Sequence, residues 1–236
     1  MRVLVTGGCG FIGSHLIDRL LKERFELHIV DNLRRAVSRK YMPDQVIVHQ
    51  IDIRDRDALR GAMRGVDVVY HLAAQSNVLG AVQDSDYAFG SNITGTYNVL
   101  MCARECGVQR LIFTSSREVY GDVAAMPVSE NAPLTPKNVY GATKAAGEHL
   151  CRALAGDGLR VTILRLANVY GPRDCGRVIP LFVEKAAAGE PLTIYGENKV
   201  LDFVWVGDVV TSLVSALQMD LDGPINIGSG DRKSVV

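Results

Sequence analysis

The sequence predicts an α/β protein whose larger part is a doubly wound parallel sheet, accompanied by a smaller lobe. Three observations carry that prediction. Short β-branched runs alternate with longer segments of helical periodicity, the strand-like runs are apolar without strict alternation, and a glycine-rich turn follows the first of them. Continuous apolar runs suit strands covered on both faces, as in a parallel sheet built of βαβ units. At 236 residues and 47% hydrophobic content the chain is long and apolar enough for a sizeable core.

Taken in order, strands are predicted at 2–6, 26–30, 45–50, 66–72, 110–115 and 160–166. Helices are predicted over 11–23, 55–64, 86–106 and 137–156, where apolar residues recur at three-to-four spacing. Residues 1–167 are therefore expected to form one domain. From 168 the pattern breaks into short pieces marked by Gly171-Pro172, Gly189-Glu190-Pro191 and Gly223-Pro224. Residues 168–200 and 220–236 are assigned to the smaller lobe, with 201–219, a strand running into an apolar helix, returning to the first domain. Ser234-Val235-Val236 reads as the opening of a helix, so this lobe is expected to be incomplete at its C-terminal end.

Charge and composition narrow the partners. Lysine plus arginine equals aspartate plus glutamate at 26 each, so no net field draws the chain to nucleic acid or anionic lipid. No run of about 18 apolar residues is present, and Met1 leads directly into a strand pattern without a leader-like segment. A cytoplasmic protein with neither membrane nor nucleic acid as partner is expected. Cys9, Cys102, Cys106, Cys151 and Cys175 contain no C-x-x-C pair, and the histidines show no H-E-x-x-H spacing, so neither a disulfide framework nor a metal site is expected.

The first strand runs into Thr6-Gly7-Gly8-Cys9-Gly10-Phe11-Ile12-Gly13, which satisfies both G-x-G-x-x-G and G-x-x-G-x-x-G. Its context, after a strand and opening an amphipathic helix, makes the motif specific for a dinucleotide. Glycines at 7, 10 and 13 let the backbone and the helix amino end at Phe11 and Ile12 approach a pyrophosphate without Cβ clashes. Asp31, 18 residues after Gly13 at the end of the second strand, is placed to accept both ribose hydroxyls and to repel a 2′-phosphate. NAD is therefore expected over NADP, with Arg34 and Arg35 keeping NADP as the alternative. Asn32 follows directly. Asp52-Ile53, past the third strand, is placed either beside the adenine or, for Asp52, as the N-cap of the helix from 55.

Two further stretches carry chemistry. Thr114-Ser-Ser-Arg-Glu-Val-Tyr-Gly121 ends a buried strand with a hydroxyl, a cation, a carboxylate and a phenol, and Tyr140-Gly-Ala-Thr-Lys144 stacks a phenol and an ammonium on one helix face. Together with "TGGCGFIGSHL", "HLAA", "SNITGTYNVL", "LRLANVYGPR" and "DFVWVGDVV", these stretches make the chain resemble the extended short-chain dehydrogenase/reductases, the nucleotide-sugar epimerase/dehydratase family with a Rossmann domain. Its first 33 residues are especially similar to UDP-galactose 4-epimerases.

The resemblance implies roles by position. Tyr140 would be the general base toward a sugar hydroxyl, and Lys144 would hold the nicotinamide ribose and, with the cofactor's positive charge, stabilise the tyrosinate. Bringing a phenol from about 10 to about 7 takes ~4 kcal/mol. Ser116 would hydrogen-bond the reacting oxygen, while Leu72, Ala73, Ala74 and Asn92 would lie along the cofactor. Asn168 and Arg173, with Arg177 and Lys185 as further cations, would face a nucleoside-diphosphate sugar. The resemblance also implies a homodimer formed through the helices at 86–106 and 137–156.

Two positions depart from the family pattern. Leu201 stands where many relatives carry a phosphate-binding arginine, and Arg117 stands where dehydratases carry an acid that a guanidinium cannot replace. Glu118 is either a C5 base or half of a surface pair with Arg117. The favoured reaction is 4-epimerisation, followed by 4,6-dehydration or other C5 chemistry, simple ketoreduction, and a catalytically idle NAD-binding protein.

Overall fold

A computed structural model describes residues 1–36, 43–123, 126–194, 200–219, 223–230 and 232–234. The chain begins with β1 (Arg2–Thr6), α1 (Phe11–Leu20), β2 (Glu26–Asp31), β3 (Ile47–Gln50), α2 (Arg56–Met63), β4 (Val68–His71), α3 (Val78–Gln83) and α4 (Ser85–Phe89). It continues through α5 (Thr96–Glu105), β5 (Arg110–Ser116), α6 (Val139–Leu154), β6 (Arg160–Leu166), β7 (Asn168–Tyr170), α7 (Val178–Ala188), β8 (Val200–Trp205), α8 (Val206–Gln218), β9 (Pro224–Ile227) and β10 (Arg232–Ser234).

Seven strands form one parallel sheet in the order β3-β2-β1-β4-β5-β6-β9. The order reverses between β1 and β4, and ligands of doubly wound sheets bind at the carboxyl ends of the strands beside such a reversal. The absence of strict apolar alternation is explained by the two cores. Val3, Val5, Ile29 and Ile112 face α1 and α8 on one side, where Leu16, Ile17, Val209 and Leu213 cover them. Leu4, Val30, Val69, Leu111 and Phe113 face the other side with Leu59, Leu100 and Cys151. Alternate residues of one strand are thus buried in opposite layers.

Local chemistry sets the helix starts. Asp55 caps α2 by accepting from Ala58 N, Asn77 caps α3, Asp84 caps α4, and Asn138 caps α6 by accepting from Gly141 N at 2.8 Å. No helix among the described residues is long and apolar enough to cross a membrane.

Three expectations are corrected. The helix predicted over 86–106 is interrupted by a π-helical stretch, Gly90–Gly95, between α4 and α5. A Cβ on Gly95 would lie 2.5 Å from Ile53 Cδ1, so this close approach needs glycine. Residues 224–227, assigned to the smaller lobe, pair with β6 and complete the main sheet, a long-range pairing that local pattern does not specify. Ser234 does not open a helix but pairs antiparallel with β8 in a small sheet of order β10-β8-β7; Val235 and Val236 lie outside the described residues.

Candidate active site

The glycine turn closes tightly under the end of β1. Gly7 has φ +72°, and its N–H donates to Val30 O at 2.8 Å. A Cβ there would stand 2.7 Å from Ala73 N, and one on Gly13 would overlap the Gly7 carbonyl oxygen and stand 2.7 Å from Gly8 Cα. The turn is held from below by Thr6, whose Oγ1 accepts from Ala73 N at 3.2 Å and bonds His71 Nδ1 at 2.7 Å; His71 Nε2 in turn reaches Thr96 Oγ1 at 3.0 Å. Burial and the Lys144 ammonium hold the His71 pKa down at about 3, so it acts as a neutral strut. Leu72, Ala73 and Ala74 continue from this strut along the turn. Gly10 precedes α1 without any side-chain cap, so the N–H groups of the first turn, at Phe11 and Ile12, are donors that an anionic group fits.

At the second strand end, Asp31 is nearly buried and accepts from Cys9 N at 3.0 Å and Leu33 N at 2.8 Å. Burial pushes its carboxyl up, against those two bonds. Asn32 donates to Asp52 Oδ2 at 3.0 Å and to the Tyr87 hydroxyl at 2.9 Å. Asp52 is gripped by Arg54 through Nε at 2.9 Å and Nη2 at 2.8 Å, which holds its carboxyl well below the usual range. It does not cap α2, since Asp55 does. Ile53 is a core residue, and its carbonyl oxygen accepts from Asn98 at 3.1 Å. Arg34 pairs with Asp84 at 2.9 Å and lies 3.8 Å above the Tyr87 ring, so one of the two cations that kept NADP open is already engaged.

The carboxyl end of β5 and the start of α6 meet beside this turn. Ser116 accepts from Glu118 N at 3.2 Å and lies close enough to the Tyr140 hydroxyl to act on its pKa. Lys144 is buried and donates to Thr114 O at 2.8 Å, a bond that uses one of its three protons. Burial drives its pKa down to about 8. Burial pushes Tyr140 up, Ser116 and the Arg177 charge pull it back, and Glu118 adds to the rise. Desolvation, which penalises the charged form of both side chains, outweighs the rest.

Asn92 is turned inward by the π-helical stretch: it accepts from Gln75 N at 2.7 Å and donates to Gln75 O at 3.2 Å and Thr143 Oγ1 at 2.9 Å. These bonds tie the loop after β4 to α6, so the geometry makes Asn92 a brace. Glu118 is occupied on both oxygens, pairing with Arg117 at 2.7 Å and accepting from Asn138 at 2.7 Å.

The expected substrate-side residues are more scattered. Asn168 donates to Asp202 O at 3.0 Å across β7 and β8. Arg173 pairs with Asp18 of α1 at 2.7 Å, and His15 bonds the Pro172 carbonyl at 2.8 Å, so the loop after β7 docks on the helix of the glycine turn. Arg173 thus acts in this docking, because an acidic partner stands within reach on α1. Arg177 lies 5.6 Å over the Phe11 ring and is the cation of this loop that acts electrostatically on Tyr140.

Sequence reasoning did not single out Thr6, His71, Tyr87 or Asn138. For Asn138 a signal existed, a capping residue directly before the helix that carries Tyr140; the others carry no local signature. Among the described residues no group of three or more His, Cys, Asp or Glu side chains could hold a metal.

The model of the NAD dependent epimerase/dehydratase family matches residues 3–228. The chain is 37% identical to a putative UDP-glucose 4-epimerase of Methanocaldococcus jannaschii, over 99% of this chain and 78% of that one. It is 33% identical to UDP-glucuronic acid decarboxylase 1 of Xenopus tropicalis, over 100% of this chain and 58% of that longer one. Among solved structures, UDP-glucose 4-epimerase of Thermotoga maritima, with UDP-glucose, superposes at a TM-score of 0.94 and 33% identity, covering 100% of this chain and 79% of that one. With the glycine turn at the sheet reversal, the acidic strand end and the Tyr140 and Lys144 helix in place, the chain belongs to the NAD-dependent epimerase/dehydratase family.

Proposed function

We propose that the chain catalyses NAD-dependent 4-epimerisation of a nucleoside-diphosphate sugar. The observation that carries this choice within the family is Glu118. Both its oxygens already accept from a neighbour, Arg117 or Asn138, so taking a C5 proton would mean sharing or breaking one of these bonds, while Ser116, Tyr140 and Lys144 gather at one end of the sheet.

NAD held along the glycine turn supplies reversible hydride transfer at the sugar carbon. Phe11 and Ile12 N–H groups receive the pyrophosphate and Asp31 the adenosine ribose. Lys144 offers its remaining protons to the nicotinamide ribose. Ser116 orients the C4 oxygen toward Tyr140, which takes the C4 hydroxyl proton and returns it. The proton would return to the C4 oxygen and the hydride to the opposite face of C4 once the keto sugar has turned over, so C4 is inverted and the sugar is neither oxidised nor reduced overall. Arg177, close enough to act on Tyr140, is the cation proposed for the diphosphate side in place of Arg173. Residues 1–167 with α8 and β9 form the NAD-binding part, whereas β8, expected to return there with 201–219, pairs with β7 and belongs with residues 168–194 on the substrate side.

A second reading, decarboxylation or dehydration through C5, is favoured by the similarity to UDP-glucuronic acid decarboxylase 1 of Xenopus tropicalis. Turnover of a nucleotide-sugar panel in D2O, read by NMR, separates the two. Epimerisation leaves C5 free of deuterium and Glu118→Gln mild. Deuterium at C5 with a 4-keto-6-deoxy or decarboxylated product would overturn the epimerase reading.

A further inference from the structure

Behind the acid/base helix lies a buried ion pair that the mechanism above does not use. Glu148 stands one turn beyond Lys144 on α6, and Arg165 lies near the end of β6; their side chains are 0% and 1% exposed. Arg165 Nε donates to Glu148 Oε1 at 2.9 Å and Nη2 to Oε2 at 2.7 Å. Arg165 Nη1 reaches the Tyr120 hydroxyl at 2.6 Å and Glu130 O at 2.8 Å. Glu148 Oε1 also accepts from the Ser115 hydroxyl at 2.6 Å, and Arg152 Nη2 stands 3.5 Å from Oε2.

Attraction within a buried pair is largely offset by desolvation of both charges, so net stability is a poor reason for its presence. The neighbouring bonds give a better one. Two consecutive residues at the end of β5 are each tied to α6: Thr114 O by Lys144 and the Ser115 hydroxyl by Glu148. Glu148 is the member of this set that is anchored on a third element, β6, through Arg165.

We propose that Glu148, held by Arg165, is a positioning residue: it sets the register of α6 against β5 and puts a negative charge one helical turn from the Lys144 ammonium. The inference rests on the roles given above to Tyr140 and Lys144. The groups facing Lys144 are Glu148 and Cys151 on α6, His71 on β4, the Phe113 ring on β5 at 4.9 Å, and Arg165 on β6 behind Glu148. His71 is held neutral, and burial pushes the Cys151 thiol up so that it too is neutral. Cys151 and Glu148 both oppose the effect of burial on Lys144, and with the thiol neutral Glu148 is the one of the two that carries a negative charge.

The test is the pH dependence of NAD affinity by calorimetry, with turnover and thermal melting alongside, in wild type, Glu148→Gln and the double variant Glu148→Gln/Arg165→Met. Glutamine keeps an acceptor for Ser115 and removes the charge. The alkaline limb of NAD affinity, where Lys144 loses its proton, is expected to move acidward by about one pH unit or more in Glu148→Gln. The double variant leaves no unpaired buried charge, so it remains measurable if the single variant does not fold; its limb is expected to move in the same direction by less. Folded variants that lose only melting temperature and keep the wild-type limb would overturn the proposal, as would a Lys144→Met protein that retains the limb. Absence of turnover on every nucleotide sugar, with the limb moving as stated, would sink the epimerase reading and leave this inference standing.

Discussion

Lys144→Met offers a quantitative test of how the site is held at the expense of stability. Lys144 is 4% exposed, and burial takes its pKa from 10.5 to about 8. Between those values the unfolded chain keeps a proton that the folded chain has lost, so the unfolded state binds more protons and stability rises with pH across that window. Below about pH 8 both states are protonated and the full cost of burying the ammonium remains. A gap of about 2.5 pH units at about 1.4 kcal/mol each corresponds to about 3 kcal/mol. Methionine has similar length, removes the charge, and leaves the Thr114 carbonyl without its 2.8 Å donor, a loss of about 1 kcal/mol. The nucleotide-free variant is therefore expected to be about 2 kcal/mol more stable than wild type near pH 7, with the advantage shrinking above pH 8 and reversing near pH 10. Urea unfolding followed by circular dichroism at several pH values measures this, and the difference between the two proteins cancels the other lysines and tyrosines. A variant less stable than wild type near neutrality, or a difference flat across the window, would refute the reasoning.

Three further outcomes are expected. Gly13→Ala places a methyl 2.7 Å from Gly8 Cα and against the Gly7 carbonyl, so the amino end of α1 must shift by about 1 Å and NAD affinity should fall about 100-fold or more; calorimetry finding affinity near wild type would contradict the cradle. Asp31→Ala should narrow the preference for NAD over NADP, measured as the ratio of dissociation constants, and wild type binding NADP equally well would remove the basis of that expectation. Tyr140→Phe should leave NAD affinity nearly intact and lower turnover by about 10²–10⁴-fold, whereas undiminished turnover on any accepted sugar would exclude this phenol as the acid/base.

Sequence alone determined the parts of this protein whose geometry is local. Strand, glycine turn and helix follow one another within thirteen residues, so the dinucleotide cradle from Thr6 to Gly13 is legible from backbone sterics. Tyr140 and Lys144 share a helix face because they are four residues apart, and apolar runs covered on both faces specify a parallel sheet. Tertiary structure decided everything that depends on a partner distant along the chain. Asp52 meets Asn32, Arg173 meets Asp18, and Glu118 meets Asn138. The π-helical stretch that turns Asn92 inward depends on Ile53 packing against Gly95 from a segment some forty residues away. Pro224–Ile227 joins the sheet by pairing with β6, about sixty residues earlier. Periodicity and motif spacing encode which face a residue lies on and which groups share a turn. The charge or hydrogen bond waiting on the neighbouring element is set by packing, and that decided which of the candidate side chains remain available for chemistry.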